Sequence, residues 1–150
     1  MCESRARSSV AHALHESSIM SVRVLVADDD PVTLALVAGT IRRLGYEVVC
    51  AEDGDALLQR VAEDGAFDVI VTDVAMPWMS GLQVATSMRM AGLPTPVLVM
   101  TALPLEPDLV ARLGAGAVLL RKPFHLKDLV GALQHLVRTS VHRAAAVISL

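Results

Sequence analysis

The run Val22-Arg23-Val24-Leu25-Val26-Ala27-Asp28-Asp29-Asp30-Pro31 decides the fold. Its first six residues are mostly apolar and β-branched, the pattern of a strand buried on both faces. The run then stops at three carboxylates and a proline. Pro31 fits the first turn of a helix, and acidic residues fit a helix N-terminus. Leu34, Val37, Ile41 and Leu44 follow at helical spacing, and Gly45 is a natural stop.

Working outward from this unit, the same pattern repeats. Tyr46–Ala51, Phe67–Thr72, Thr95–Met100 and Ala117–Arg121 read as further strands. Helices are predicted over Asp55–Asp64, with Leu57, Leu58 and Val61 inward, from Gly81 to Ala91, and around Glu106–Leu113. A last helix is predicted from His125 to about Thr139, with Leu126, Leu129, Val130, Leu133 and Val137 on one face. Five apolar strands alternating with five helices predict an α/β fold. The expected architecture is a doubly wound, flavodoxin-like, five-stranded parallel sheet in the order 2-1-3-4-5. In such sheets ligands bind beyond the carboxyl ends of the strands, at the switch point.

The 150 residues suit one domain, and 53% apolar against 19% charged residues exclude a disordered chain. Lys and Arg total 13, Asp and Glu 16, so the net charge is −3. That balance gives no basic footprint for nucleic acid, and few aromatics leave no base-stacking platform. Cys2 and Cys50 cannot make a secreted-type disulfide framework. The longest uncharged run, Met90–Leu105, is broken by Pro94, Pro96 and Pro104, so no membrane span is expected. Residues 1–20 carry no apolar signal core and read as a flexible extension. Residues 21–139 form the expected domain, and 140–150 a tail or the start of a linker. The setting expected is the cytoplasm, and the excess of Arg over Lys points to a GC-rich bacterial genome.

Polar residues gather where the strands end. The first strand delivers Asp28 and Asp29, the third Asp73, the fourth Thr101 and the fifth Lys122. Carboxylates meeting in one crevice repel unless a hard cation joins them, and Mg²⁺ accepts such oxygens while meeting a phosphate. Lys and Thr could hold phosphoryl oxygens, leaving one carboxylate as a nucleophile. Taken singly these residues are ordinary caps, turn formers and solvated charges; their joint placement is what carries the reading. Asp30 reads as a helix cap alone.

Four runs, Val-Ala-Asp-Asp-Asp-Pro (26–31), Val-Thr-Asp-Val-Ala-Met-Pro-Trp-Met-Ser-Gly (71–81), Val-Met-Thr-Ala (99–102) and Arg-Lys-Pro-Phe (121–124), resemble the receiver domain of two-component response regulators. The resemblance implies that Asp73 accepts a phosphoryl group from a sensor histidine kinase or phosphotransfer protein, acting as a switch rather than an enzyme. It implies Mg²⁺ held by Asp29, Asp73 and the Ala75 backbone carbonyl, with Asp28 acting through a metal-bound water. Thr101 and Lys122 would each hold a phosphoryl oxygen, and the Lys122–Pro123 peptide is expected to be cis. A downstream effector and a possible homodimer follow, with no direct contact to nucleic acid or membrane.

The chain departs from the family at Leu119, where receivers commonly carry an aromatic residue. Movement of the loop after Thr101, restricted by Pro104 and Pro107, is the expected substitute. The side chains that flank the water approach in receivers are here Ala75 and Leu103. Neither orients a water, so slow self-dephosphorylation is expected. Two other readings stay open. Asp28-x-Asp30-x-Val32 loosely fits a haloacid dehalogenase nucleophile motif, and a pseudo-receiver would bind partners without phosphorylation. Gly114-Ala115-Gly116, the pair His12 and His15, and the scattered His125, His135 and His142 carry no site. Cys50, Met76, Met79, Met88, Met90 and Met100 read as core, and Trp78 as partly exposed beside Asp73.

Overall fold

The computed structural model describes residues 21–104, 108, 111, 113–114 and 116–148. The N-terminal extension lies outside them, as does most of the helix expected around Glu106–Leu113. The strands are β1 (Arg23–Ala27), β2 (Glu47–Ala51), β3 (Val69–Asp73), β4 (Val97–Thr101) and β5 (Ala117–Arg121). Among the described residues the helices are α1 (Pro31–Arg43), α2 (Gly54–Glu63), α3 (Gly81–Met90) and α4 (Leu126–Ile148).

All neighbouring strands are parallel, in the order β2-β1-β3-β4-β5. The doubly wound sheet read from the sequence is therefore the observed one. Side chains alternate between its faces. Val24 and Val26 join Leu34, Val37 and Ile41 of α1 and Leu129, Leu133 and Leu136 of α4 in one core. Leu25 and Ala27 join Leu57 of α2 and Val84, Ala85 and Met88 of α3 in the other. Both faces are covered, which is why the strands carry unbroken apolar runs.

Three expectations need correction. Met90 is 85% exposed. It lies two residues beyond the buried Met88, about 200° around the helix, so it faces away from the sheet. Leu126 is exposed because a first-turn side chain leans back beyond the helix start. The last helix does not stop near Thr139 but runs to Ile148. Residues 140–148 hold no Gly or Pro and include three consecutive alanines, good helix formers that lack an apolar stripe to announce them.

The chain winds from β1 outward to β2, then back across β1 to β3. The strand order reverses at that point, and the carboxyl ends of β1 and β3 open there.

Candidate functional site

Asp28 follows β1 directly, and its N–H extends the ladder by donating to the Ala51 carbonyl at 3.2 Å. It is almost fully buried. One carboxylate oxygen accepts from the Asp30 N–H at 2.9 Å, and the other meets Lys122 Nζ at 3.0 Å. Asp30 caps α1, accepting from Val32 N–H and, at 2.6 Å, from the Thr33 hydroxyl. Those bonds hold its carboxyl below the ordinary value, and the cap reading stands. Asp29, between the two, is exposed.

Asp73 is the last residue of β3 and buried. Its Oδ1 accepts from the Ala75 N–H at 3.4 Å, and its Oδ2 lies 3.3 Å from Lys122 Nζ. Burial, and then the neighbouring charge of Asp28, hold this carboxyl above its ordinary value against the pull of Lys122. Burial works against the Lys122 ammonium too. The hydrogen bond and charge of Asp28, then those of Asp73, outweigh it and raise Lys122 above the ordinary value. Lys122 is placed by its own N–H, which donates to the Thr101 carbonyl at 2.8 Å, and the Lys122–Pro123 peptide is cis.

Asp28, Asp29 and Asp73 each offer an oxygen, and these three atoms lie within 4.8 Å of one another. With one ammonium beside them, they leave about two negative charges in a partly buried crevice. Hard oxygen donors with that charge fit a dication such as Mg²⁺. Ala75, the fourth expected ligand, lies two residues on in the exposed loop.

The Thr101 hydroxyl, also buried, is turned toward its own loop. It accepts from the Leu103 N–H at 2.9 Å and faces the Leu103 carbonyl at 3.2 Å. Leu119, at the position where an aromatic is usual, packs half-buried against the core on the α2 and α3 side. Trp78 exceeds its expectation: it is 92% exposed and takes a left-handed φ of 70°, which few non-glycine residues do.

Gly81, just after the Ser80 cap of α3, is a structural requirement that sequence reasoning passed over. A Cβ there would collide with the Asp73 carbonyl and the Thr72 hydroxyl, so only glycine lets α3 start this close to the acidic end of β3. The Met-Ser-Gly run at the end of the loop was the available signal.

The response regulator receiver domain family matches residues 24–134. The chain belongs to that family. As a receiver it is similar to the response regulator MprA of Mycobacterium bovis, 39% identical over 128 residues, covering 85% of this chain and 55% of the relative. Among solved structures it is similar to the chemotaxis response regulator CheY4 of Vibrio cholerae. Identity there is 34% and the TM-score 0.68, with 78% of this chain and 99% of that one covered. It is also similar to the response regulator TrrA of Thermotoga maritima in complex with Mg²⁺ and BeF. The identity is 28% and the TM-score 0.67, covering 77% of the receiver and 98% of that chain. The receiver spans about half the length of the curated relatives it matches. No helix of its described residues is long and apolar enough to cross a membrane.

Proposed function

We propose that Asp73 is the phosphoacceptor of a two-component switch, fed by a sensor histidine kinase or phosphotransfer protein in the cytoplasm. The observation that carries this reading is the Asp73–Lys122 pair, 3.3 Å apart at the switch point beside Asp28. A carboxylate oxygen of Asp73 forms the new P–O bond. The P–N bond to the donor histidine breaks, and the imidazole nitrogen keeps the electron pair and takes a proton. Asp28, Asp29, Asp73 and the Ala75 carbonyl would hold Mg²⁺, which supplies charge neutralisation at the phosphoryl oxygens. Lys122 balances a further oxygen from the opposite side.

Asp28 is the poorer nucleophile, because its oxygens are held more closely, at 2.9 Å by the Asp30 N–H and 3.0 Å by Lys122, than those of Asp73, at 3.4 and 3.3 Å. For Thr101 to bond a phosphoryl oxygen it gives up Leu103, and the loop after β4 is freed to change partner binding. With Leu119 packed in the core, that loop replaces an aromatic swing as the moving element. Ala75 and Leu103 offer no polar group to a hydrolytic water, which supports a long-lived phosphorylated state.

The test is phosphorylation by acetyl phosphate with Mg²⁺, followed by mass-spectrometric mapping. Label on Asp73, lost in Asp73→Asn, is expected. Label on Asp28 instead points to the hydrolase reading, and no label in wild type overturns the phosphoacceptor assignment.

A further inference from the structure

Arg121 closes β5 and stands in register with Thr101, which closes β4. Side chains alternate along a strand, so partners in parallel register leave the sheet on one face and the next residue, Lys122, starts toward the other. Both residues line a cleft of about 160 Å³ with Ala102, Leu103, Pro104 and Lys122. Arg121 is exposed. Among the described residues Arg23, Arg60 and Lys122 make ion pairs, and Arg121 makes none. A residue whose guanidinium makes no ion pair among the described residues thus lines the same cleft as Thr101 and Lys122, the residues proposed to hold phosphate.

The charge inventory gives that guanidinium a role. Phosphorylation turns the Asp73 carboxylate into an acyl phosphate of nearly two negative charges beside the two remaining carboxylates, which one dication and one ammonium do not fully cancel. Guanidinium is suited to phosphoryl oxygens through its planar fork of donors. We infer that Arg121 holds a phosphoryl oxygen over Thr101, as a phosphate-positioning residue on the side of the cleft away from the carboxylates. The inference rests on Asp73 being the phosphoacceptor. A bland alternative is an edge-strand arginine that only keeps the sheet edge charged.

Beryllofluoride with Mg²⁺ serves as the phosphoryl probe, titrated calorimetrically into the full 150-residue chain. Wild type, Arg121→Gln, Arg121→Lys and Asp73→Asn are compared, with melting in Mg²⁺ alone as the folding control. Arg121→Gln is expected to need about fivefold more probe, the scale of one partly exposed charge pair, with Arg121→Lys in between. The gap should narrow in about 0.5 M salt, where screening is strong. If Arg121→Gln binds within about twofold of wild type while Asp73→Asn does not bind, the role of Arg121 is overturned and Asp73 stands. If wild type takes no probe, both fall.

Discussion

Lys122 is held more closely by Asp28, at 3.0 Å, than by the proposed acceptor Asp73, at 3.3 Å. The more deeply buried carboxylate thus has the shorter ion pair, and Asp73 is left with part of its charge unbalanced. Such frustration is costly to the fold and useful to the chemistry, since an incoming dication or phosphoryl group finds an interaction still to be made.

Asp73→Asn should therefore stabilise the protein near neutral pH. The folded carboxyl titrates above its ordinary 3.8, so between 3.8 and the folded value the native state binds more protons than the unfolded one. Stability contributed by this group falls as pH rises through that window. The melting-temperature gain of Asp73→Asn is expected to grow as pH rises through that window and to vanish below about pH 3.8. A constant gain across the range would contradict the charge argument.

Lys122→Ala should cost about 3 kcal/mol in metal-free urea unfolding, because it leaves the buried Asp28 without its cation. The lysine's contribution is complete below its ordinary 10.5 and is lost as pH rises through the higher folded value. Wild type should accordingly lose stability above pH 10.5 more steeply than Lys122→Ala.

Mg²⁺ at about a hundredfold excess over its dissociation constant should stabilise wild type by about 2.7 kcal/mol. Asp29→Asn, at an exposed position, should leave metal-free stability within about 0.5 kcal/mol and abolish most of that gain. Scanning calorimetry with Mg²⁺ and with EDTA reads both numbers.

Two glycines should respond in opposite directions. Gly81→Ala forces a methyl into the Asp73 carbonyl and Thr72, and should cost about 3 kcal/mol. Gly131→Ala lies inside α4 with nothing within 4 Å of the new Cβ, and should add about 0.5–1 kcal/mol. Chemical denaturation of both variants separates close approach from helix propensity.

The combined variant Ala75→Asn with Leu103→Glu should lose its phosphoryl group about tenfold faster than wild type, the effect of 1.36 kcal/mol on a barrier. Phosphate release is timed after donor removal. Decay of wild type within seconds, or an unchanged rate in the variant, counts against a long-lived phosphorylated state.

Strand interiors and their order were legible because each strand carries a nearly unbroken apolar run. Strand ends were not, because burial outruns the hydrogen-bond ladder. Phe67 reads as strand and is buried, yet it lies outside β3, with the Arg23 guanidinium 4.7 Å over its ring. Asp68 is likewise outside, and its carboxylate accepts the Arg23 N–H. At the site, the three carboxylates and Lys122 were legible as residue types in order along the chain. The shorter Lys122–Asp28 contact, the turn of Thr101 toward Leu103 and the shared face of Arg121 and Thr101 depend on register and rotamer, which no local pattern encodes. The near-complete exposure of Trp78 depends on a backbone turn of the same kind.

The length of α4 has a mechanical meaning. Its first residue, Leu126, comes four positions after Lys122, and its 23 residues make a rod of about 34 Å. The base of this rod is clamped to the sheet by Leu129, Leu133 and Leu136. A tilt of about 5° at that clamp would carry Ile148 through about 2 Å, at the rise per residue of an α-helix. Any small displacement around the ammonium that reached this clamp would be magnified at the far end, as on the long arm of a balance.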